Sequence, residues 1–182
     1  MDKGAEYYAR YLNGDDEGLV LIVRDYKDGL ILYLNGICRD IHTAEDLCED
    51  TFFRLFTKRP RFSEERSSFK TWLYTIARNI AYDELKRPRA DVSTDDLEIP
   101  CELLTEEKYI EDERRAAVRR LTGRLLPQQR EAVWLVYFDG LSVKEAAKVM
   151  KKSENAVSLL LMRAKAALKE LLIGEGITGE DL

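Results

Sequence analysis

The sequence predicts an all-α protein of two small helical domains joined by an acidic, flexible linker. Three observations predict it. Apolar residues recur every three or four positions at both ends of the chain, and the alternation that marks strands is absent. The middle segment RPRADVSTDDLEIPCELLTEE breaks that rhythm with two prolines, polar turn residues and little periodicity. Charge is segregated along the chain. Residues 1–88 carry 14 Lys/Arg against 16 Asp/Glu, residues 89–111 carry 2 against 8, and residues 112–182 carry 13 against 10. The acidity behind the net charge of −5 therefore sits in the linker. Local patches, not the global sum, decide attraction to phosphates. The expected division is 1–88, linker 89–111, and 112–182.

At 182 residues and 45% hydrophobic content the chain has enough apolar matter for a core. No apolar run approaches the roughly 18 to 20 residues of a membrane span. The N-terminal stretch MDKGAEYYARYLNGDDEG has no apolar signal-peptide core. Cys38, Cys48 and Cys101 are an odd count without a C-x-x-C, and read as reduced thiols of a cytoplasmic protein. His42, the single histidine, is expected in a loop with no second ligand at metal spacing. No phosphate loop, nucleophile elbow or Ser/His/Asp set is present, so neither enzyme chemistry, cofactor nor small-molecule substrate is expected.

In chain order, a short helix is expected at Ala5–Leu12. Leu19, Ile22, Val23, Tyr26, Leu30, Leu34 and Ile37 then trace a longer one. Thr43 with Asp46 three residues on is a candidate cap for a helix Ala44–Phe56. Leu47, Thr51 and Leu55 lie on one face of it, and Glu45, Asp46, Glu49, Asp50 and Phe53 on the other. Pro60 ends that helix, and the loop RPRFSEERSS follows. The next helix, Ser67–Lys86, has two sharply different faces. Phe69, Leu73, Ile76, Ala77 and Ile80 line one. Thr71, Thr75, Arg78, Tyr82 and Lys86 line the other. That second face carries hydroxyls, a ring and cations with no acid among them, as a helix facing nucleic acid requires.

After the linker, Glu111–Leu125 is expected as one helix. Pro127 suits a first helical position, and Gln128–Phe138 follows until Asp139-Gly140 stops it. Ser142 and Glu145 form a capping box for a short helix through Met150. Lys151-Lys152 turns the chain, and Ser153 caps a last helix running to about Leu172. This is the layout of a helix-turn-helix. Ala146-Ala147 allows a close crossing, and Val157, Leu161, Ala164 and Leu168 anchor the second helix, whose first turns would meet base edges in the major groove.

These segments resemble the RNA polymerase sigma factors of the sigma-70 family, in particular the compact extracytoplasmic-function (ECF) group that keeps only regions 2 and 4. AEDLCEDTFFRLF (Ala44–Phe56) is similar to region 2.2. FKTWLYTIARNIAYDELKR (Phe69–Arg87) resembles regions 2.3 to 2.4, with their Phe-x-Thr-Trp-Leu and Ile-Ala-Arg-Asn signatures. LLPQQREAVWLVYFDGLSVKEAAKVMKKSENAVSLLLMRAKAAL (Leu125–Leu168) resembles region 4.

The resemblance implies a factor that binds core RNA polymerase, recognises the minus-10 and minus-35 promoter elements and assists melting. Asp46, Leu47, Glu49, Asp50 and Phe53 would dock on the beta-prime clamp helices, with the beta flap as a further contact. Glu49 stands where relatives often have Gln. Arg59, Arg61, Phe62, Arg66, Lys70, Thr71, Thr75, Arg78, Tyr82 and Lys86 would meet the minus-10 element. Trp72, at the edge of the apolar face, reads as part of the core. Lys151, Lys152, Ser153, Asn155, Ser158, Leu159, Met162 and Arg163 would meet the minus-35 element, with cations on phosphates, Asn155 on adenine and apolar side chains on thymine methyls. Relatives often place Lys or Arg at the positions of Ser158 and Leu160, and this chain has neither. The apolar outer face of Leu159 and Met162 equally suits a protein partner such as an anti-sigma factor. Two other readings of the residues stay open: a helix-turn-helix regulator acting without polymerase, and a helical interaction adaptor.

Overall fold

The computed structural model describes residues 2–86 and 113–175. The expected linker 89–111, with Cys101, lies outside them. Among the described residues every regular element is helical. The first half comprises α1 (Lys3–Leu12), α2 (Glu17–Cys38), α3 (Ile41–Lys58) and α4 (Phe69–Leu85). The second comprises α5 (Glu113–Thr122), α6 (Pro127–Val133), a π-helical stretch (Trp134–Phe138), α7 (Val143–Met150) and α8 (Glu154–Gly174).

The periodic apolar residues of the first half converge on one core. Ile22, Leu30 and Leu34 of α2 meet Leu47 and Leu55 of α3 and Phe69, Leu73 and Ala77 of α4, all buried. Each large side chain among them is worth about 1.5–3 kcal/mol on burial. An aromatic group closes one end: Tyr8 lies 5.7 Å from Phe69, and Phe62 5.1 Å from Trp72. At Gly18 a Cβ would stand 2.3 Å from the Tyr7 carbonyl oxygen, so only glycine lets α1 and α2 cross this closely. The Asp2 carboxylate accepts from the Gly4 amide at 3.0 Å and from the Phe69 amide, tying the first turns of α1 and α4 together.

Helix α3 starts three residues earlier than the sequence suggests. Arg39 takes a left-handed conformation (φ 58°) that ends α2, and Asp40 is left extended. The Asp40 side chain is therefore the cap, accepting from the Thr43 amide at 2.7 Å, and Thr43 is an ordinary first-turn residue. The same shift corrects His42, which lies exposed within α3, its Nδ1 3.5 Å from Glu45, and not in a loop. At the far end Arg59 is left-handed (φ 41°) before Pro60. Tyr11 donates to the Phe56 carbonyl, one of those the helix end leaves open, and Tyr8 to the Pro60 carbonyl just beyond it, each at 2.8 Å.

In the second half Pro127 opens α6, and the wider π-helical turn follows, with Trp134 and Leu135 both buried. Gly140 (φ 70°) reverses the chain. The Ser142–Glu145 capping box is formed on both sides, and Lys151 (φ 54°) makes the turn between α7 and α8. Ser153 caps α8 by accepting from the Ala156 amide at 3.2 Å. Ala146, Ala147, Val149 and Met150 pack on Val157, Leu161 and Ala164. The two halves are also packed on each other. α7 lies against α4 and α6 against α2, and the Tyr33 and Tyr74 rings sit 5.1 Å apart beneath that seam.

Candidate polymerase and nucleic-acid interfaces

The outer face of α3 is the simplest of the three surfaces. Asp46, Glu49 and Asp50 are exposed on the N-terminal side of Phe53, which is itself 67% exposed, and Arg54, Thr57 and Lys58 lie on its other side. Leu47 points the other way, into the core. An exposed ring with an acidic flank suits a partner with a basic surface beside an apolar centre.

The acid-free face of α4 is not turned to solvent. The second half covers it, and it does so with carboxylates. Glu131 of α6 is almost fully buried. Its Oε1 accepts from Arg78 Nε at 2.6 Å and from the Tyr33 hydroxyl at 3.0 Å, and its Oε2 accepts from the Tyr82 hydroxyl at 3.0 Å. The Arg78 guanidinium also lies over the Tyr82 ring at 4.2 Å. Burial pushes the Tyr82 hydroxyl up to about 12, with Glu131 adding to the shift. Asp139 accepts from Tyr74 at 2.8 Å and stands 3.3 Å from Lys70 Nζ. Burial raises its carboxyl, against the pull of Lys70 and Tyr74. Glu145 accepts from Ser68 at 2.7 Å and from the buried Thr71 hydroxyl at 3.2 Å. Burial opposes its ionisation, yet hydrogen bonds from Ser68, Ser142 and Thr71 outweigh it and hold the carboxyl at about 2. Thr75 donates to the Thr71 carbonyl within α4 at 2.7 Å. Lys86, one turn beyond the cover, is exposed and pairs with Asp83.

The preceding loop is partly used for packing. Arg59 lies 4.9 Å over the Tyr11 ring, Phe62 packs on Phe69 and Trp72, and Arg61 and Arg66 are exposed. Trp72 is half-buried among Tyr8, Phe62 and Phe69, as its core reading required. Its other edge lines an open groove of about 460 Å³ with Arg54, Lys58, Pro60, Ile76, Asn79, Asp83 and Lys151. The sequence reading missed Arg54, Lys58 and Asn79. The signal was the spacing Trp72-Ile76-Asn79-Asp83, a third face of α4 between the two it recognised, and Ile76 is half-buried on its border.

The helix-turn-helix presents the third surface. Lys151, Ser153, Asn155, Ser158, Leu159, Met162 and Arg163 are all solvent-facing, Leu159 at 42% and Met162 at 62% exposure, and Lys152 is half-buried beside them. They occupy the turn and the first two and a half turns of α8, opposite Val157, Leu161 and Ala164. Among the described residues no three His, Cys, Asp or Glu side chains are grouped to hold a metal, and no helix is long and apolar enough to cross a membrane. The buried Cys48 thiol is pushed up to about 12 by desolvation.

A helical bundle packed against a capped helix-turn-helix is the architecture of a DNA-binding transcription factor. Comparison with known proteins makes this specific. Residues 22–90 match Sigma-70 region 2, and residues 115–168 match Sigma-70, region 4. The ECF sigma factor SigM of Bacillus subtilis is 31% identical over 154 residues, which cover 82% of this chain and 92% of that protein. The ECF sigma factor BldN of Streptomyces coelicolor is 34% identical over 171 residues, 92% of this chain but 65% of BldN's own length. The sigma factor RpoE of Bartonella quintana, solved with the anti-sigma factor NepR, shares the fold with a TM-score of 0.63 at 23% identity. The match covers 86% of this chain and 95% of that one. The chain belongs to the ECF sigma factors of the sigma-70 family. It is a non-enzymatic factor that directs transcription initiation with RNA polymerase.

Proposed function

We propose that residues 1–88 form the polymerase-docking and minus-10 domain, 89–111 the acidic linker, and 112–182 the minus-35 domain. In this reading Asp46, Glu49, Asp50 and Phe53 contact the beta-prime clamp helices, and Leu47 supports them from beneath. The loop residues Arg59, Arg61, Phe62 and Arg66 with Lys70, Thr71, Thr75, Arg78, Tyr82 and Lys86 take the minus-10 element. Stacking on protein returns about 1–3 kcal/mol per extruded base. Lys151, Lys152, Ser153, Asn155, Ser158, Leu159, Met162 and Arg163 take the minus-35 element, and the beta flap is a further contact of the second domain. The factor acts in the cytoplasm, where its polymerase is, and has no cofactor.

The observation that carries this reading is Phe53. On a helix whose other large apolar residues are buried or half-buried, this one ring stands out beside three carboxylates. An exposed aromatic with an acidic flank is the kind of anchor that interface centres use. The test is retention of core polymerase by the immobilised chain. Phe53→Ala should lower affinity at least tenfold, and Glu49→Arg should lower it further at low salt than at high. Equal retention by all three proteins would reject α3 as the docking helix.

An anti-sigma factor is a second partner supported by one specific feature, the uncharged outer strip of Leu159 and Met162 on α8. The RpoE relative has such a partner.

A further inference from the structure

We propose that α1 is the positioning element of the minus-10 loop: Asp2, Tyr8 and Tyr11 pin the two ends of residues 59–68, so that Arg61, Phe62 and Arg66 stand ready for an extruded base. The inference rests on the reading of that loop as part of the minus-10 site.

The first support is where α1 makes its polar contacts. At the loop's entry the Tyr11 hydroxyl donates to the Phe56 carbonyl at 2.8 Å and accepts from Arg59 Nε at 3.3 Å. The Tyr8 hydroxyl donates to the Pro60 carbonyl at 2.8 Å. At the loop's exit the Asp2 carboxylate accepts from the amide of Phe69, the first residue of α4. Among the described residues, the loop's own backbone bonds close one turn, from the Arg66 and Ser67 amides to the Ser63 carbonyl. From Pro60 to Phe62 the polar hold on the backbone is that of Tyr8.

The second is strain. Arg59 has φ 41°, a left-handed conformation that non-glycine residues seldom adopt. Such a residue persists where its surroundings over-determine it. Tyr11 does so twice, through the bond from Nε and through its ring, 4.9 Å from the guanidinium carbon. That left-handed residue ends α3 and sends the chain into the loop.

The third separates packing from positioning. Tyr8 is 1% exposed, with its ring 5.3 Å from Trp72 and 5.7 Å from Phe69. Phenylalanine would fill that space equally. A hydroxyl in such a place is costly unless it is bonded, and this one is bonded to the loop. Phe62 packs on the same two rings, 5.1 Å from Trp72 and 5.6 Å from Phe69, so α1 and the loop share one aromatic cluster. Gly4 seats the first turn of α1 directly on it, since a Cβ there would overlap Phe69 Cδ1.

Between these anchors α1 stands off. A groove of about 470 Å³ lies between Ala5, Ala9 and Leu12 on one side and Ser63, Glu64 and Glu65 on the other. The loop is pinned at its ends and unpacked at its tip. Pinning the ends lowers the ordering cost when a base arrives, and the open tip leaves room to close on it.

The test uses holoenzyme reconstituted from core RNA polymerase and the full chain. Its DNA is a promoter that the wild-type holoenzyme selects from a random library, with 2-aminopurine at successive non-template minus-10 positions to report extrusion. Tyr8→Phe with Tyr11→Phe removes both hydroxyls and keeps both rings. The double variant should retain core polymerase within twofold of wild type, yet extrude the reporter base at least fivefold more slowly on duplex DNA. On the same promoter pre-opened by mismatches across the minus-10 element, its transcript yield should come within twofold of wild type. A general weakening of the fold would lower both templates alike, and that result overturns the proposal. So does a duplex rate within twofold of wild type. Tyr11→Phe alone, judged by the same ratio of duplex to pre-opened DNA, serves if the double variant fails to fold. Arg61→Ala with Arg66→Ala tests the underlying reading. If that pair leaves duplex opening unchanged, the loop is no minus-10 contact and the proposal falls with it. If that pair slows opening and the tyrosine variants do not, the loop meets DNA but α1 does not position it.

Discussion

Breaking the Glu131–Arg78 pair is the sharpest quantitative test of the seam. The side chains are 1% and 13% exposed, and the bond is 2.6 Å long. Glu131→Ala removes one charge-assisted bond, worth about 1.5–3 kcal/mol, and the acceptor of two hydroxyls at about 1 kcal/mol each. It also leaves the guanidinium partly buried without its partner, the condition that makes broken buried pairs cost about 3–5 kcal/mol. The seam sets a ceiling, however. If the halves separate, Arg78, Tyr33 and Tyr82 gain access to water and the penalty stops at the free energy of docking. A double-mutant cycle with Arg78→Met isolates the pair. Urea unfolding at pH 7 would be followed at Trp72 in the first half and Trp134 in the second. The expected coupling is about 1.5–3 kcal/mol, with the loss from Glu131→Ala alone registered at both tryptophans. A coupling below about 0.5 kcal/mol, within the error of such cycles, would refute a closed Glu131–Arg78 contact in solution.

The remaining expectations are simpler. Lys152→Ala with Arg163→Ala should weaken promoter binding and reduce its log–log salt slope by about 2, one unit for each lost phosphate contact. Unchanged binding in a salt titration would reject α8 as the DNA reader. Ser153→Ala removes the α8 cap and should cost about 1 kcal/mol in thermal or urea unfolding, and a neutral result would mean the recognition helix is held by packing alone. Glu145, held at about 2 against an ordinary value of 4.5, stabilises the fold above pH 4.5 and loses that contribution as pH falls from there toward 2. Wild type should therefore lose stability more steeply than Glu145→Gln across that window, and parallel acid-unfolding curves would contradict the hydrogen bonds drawn to this carboxylate.

Much of the fold was legible because local rules and tertiary packing agree here. Leu73 and Ala77 fall on the predicted apolar face of α4, the Ser142–Glu145 box caps α7, and Asp139-Gly140 breaks the chain where expected. The misreadings arose where two local signals compete. Asp40 and Thr43 are both good caps, and the choice was made by Arg39, whose left-handed backbone ends α2 and sets Asp40 in the extended geometry a cap needs. Nothing in the periodicity of residues 134–138 distinguishes a π-helical turn from an α-helical one. On α3 the periodicity separated Leu47 from Phe53, and only the family resemblance grouped them as docking residues. At six residues apart they lie about 120° apart around a 3.6-residue helix, and only Phe53 is exposed.

The acid-free face of α4 shows why a binding surface is harder to read than a core. A face of hydroxyls, rings and cations records a demand for anions and is silent about who supplies them. DNA phosphates are one source. Glu131, Asp139 and Glu145, 49 to 77 residues away from their partners along the chain, are another. No window of sequence displays that pairing, because the acids lie on α6, on the turn after the π-helical stretch and on α7, where each looks like an ordinary polar residue. The seam is not polar throughout, however: Trp134 and Leu135 of the second half share one continuous apolar core with Leu30, Leu34 and Leu73 of the first, so the buried acids sit at the border of a packed interface.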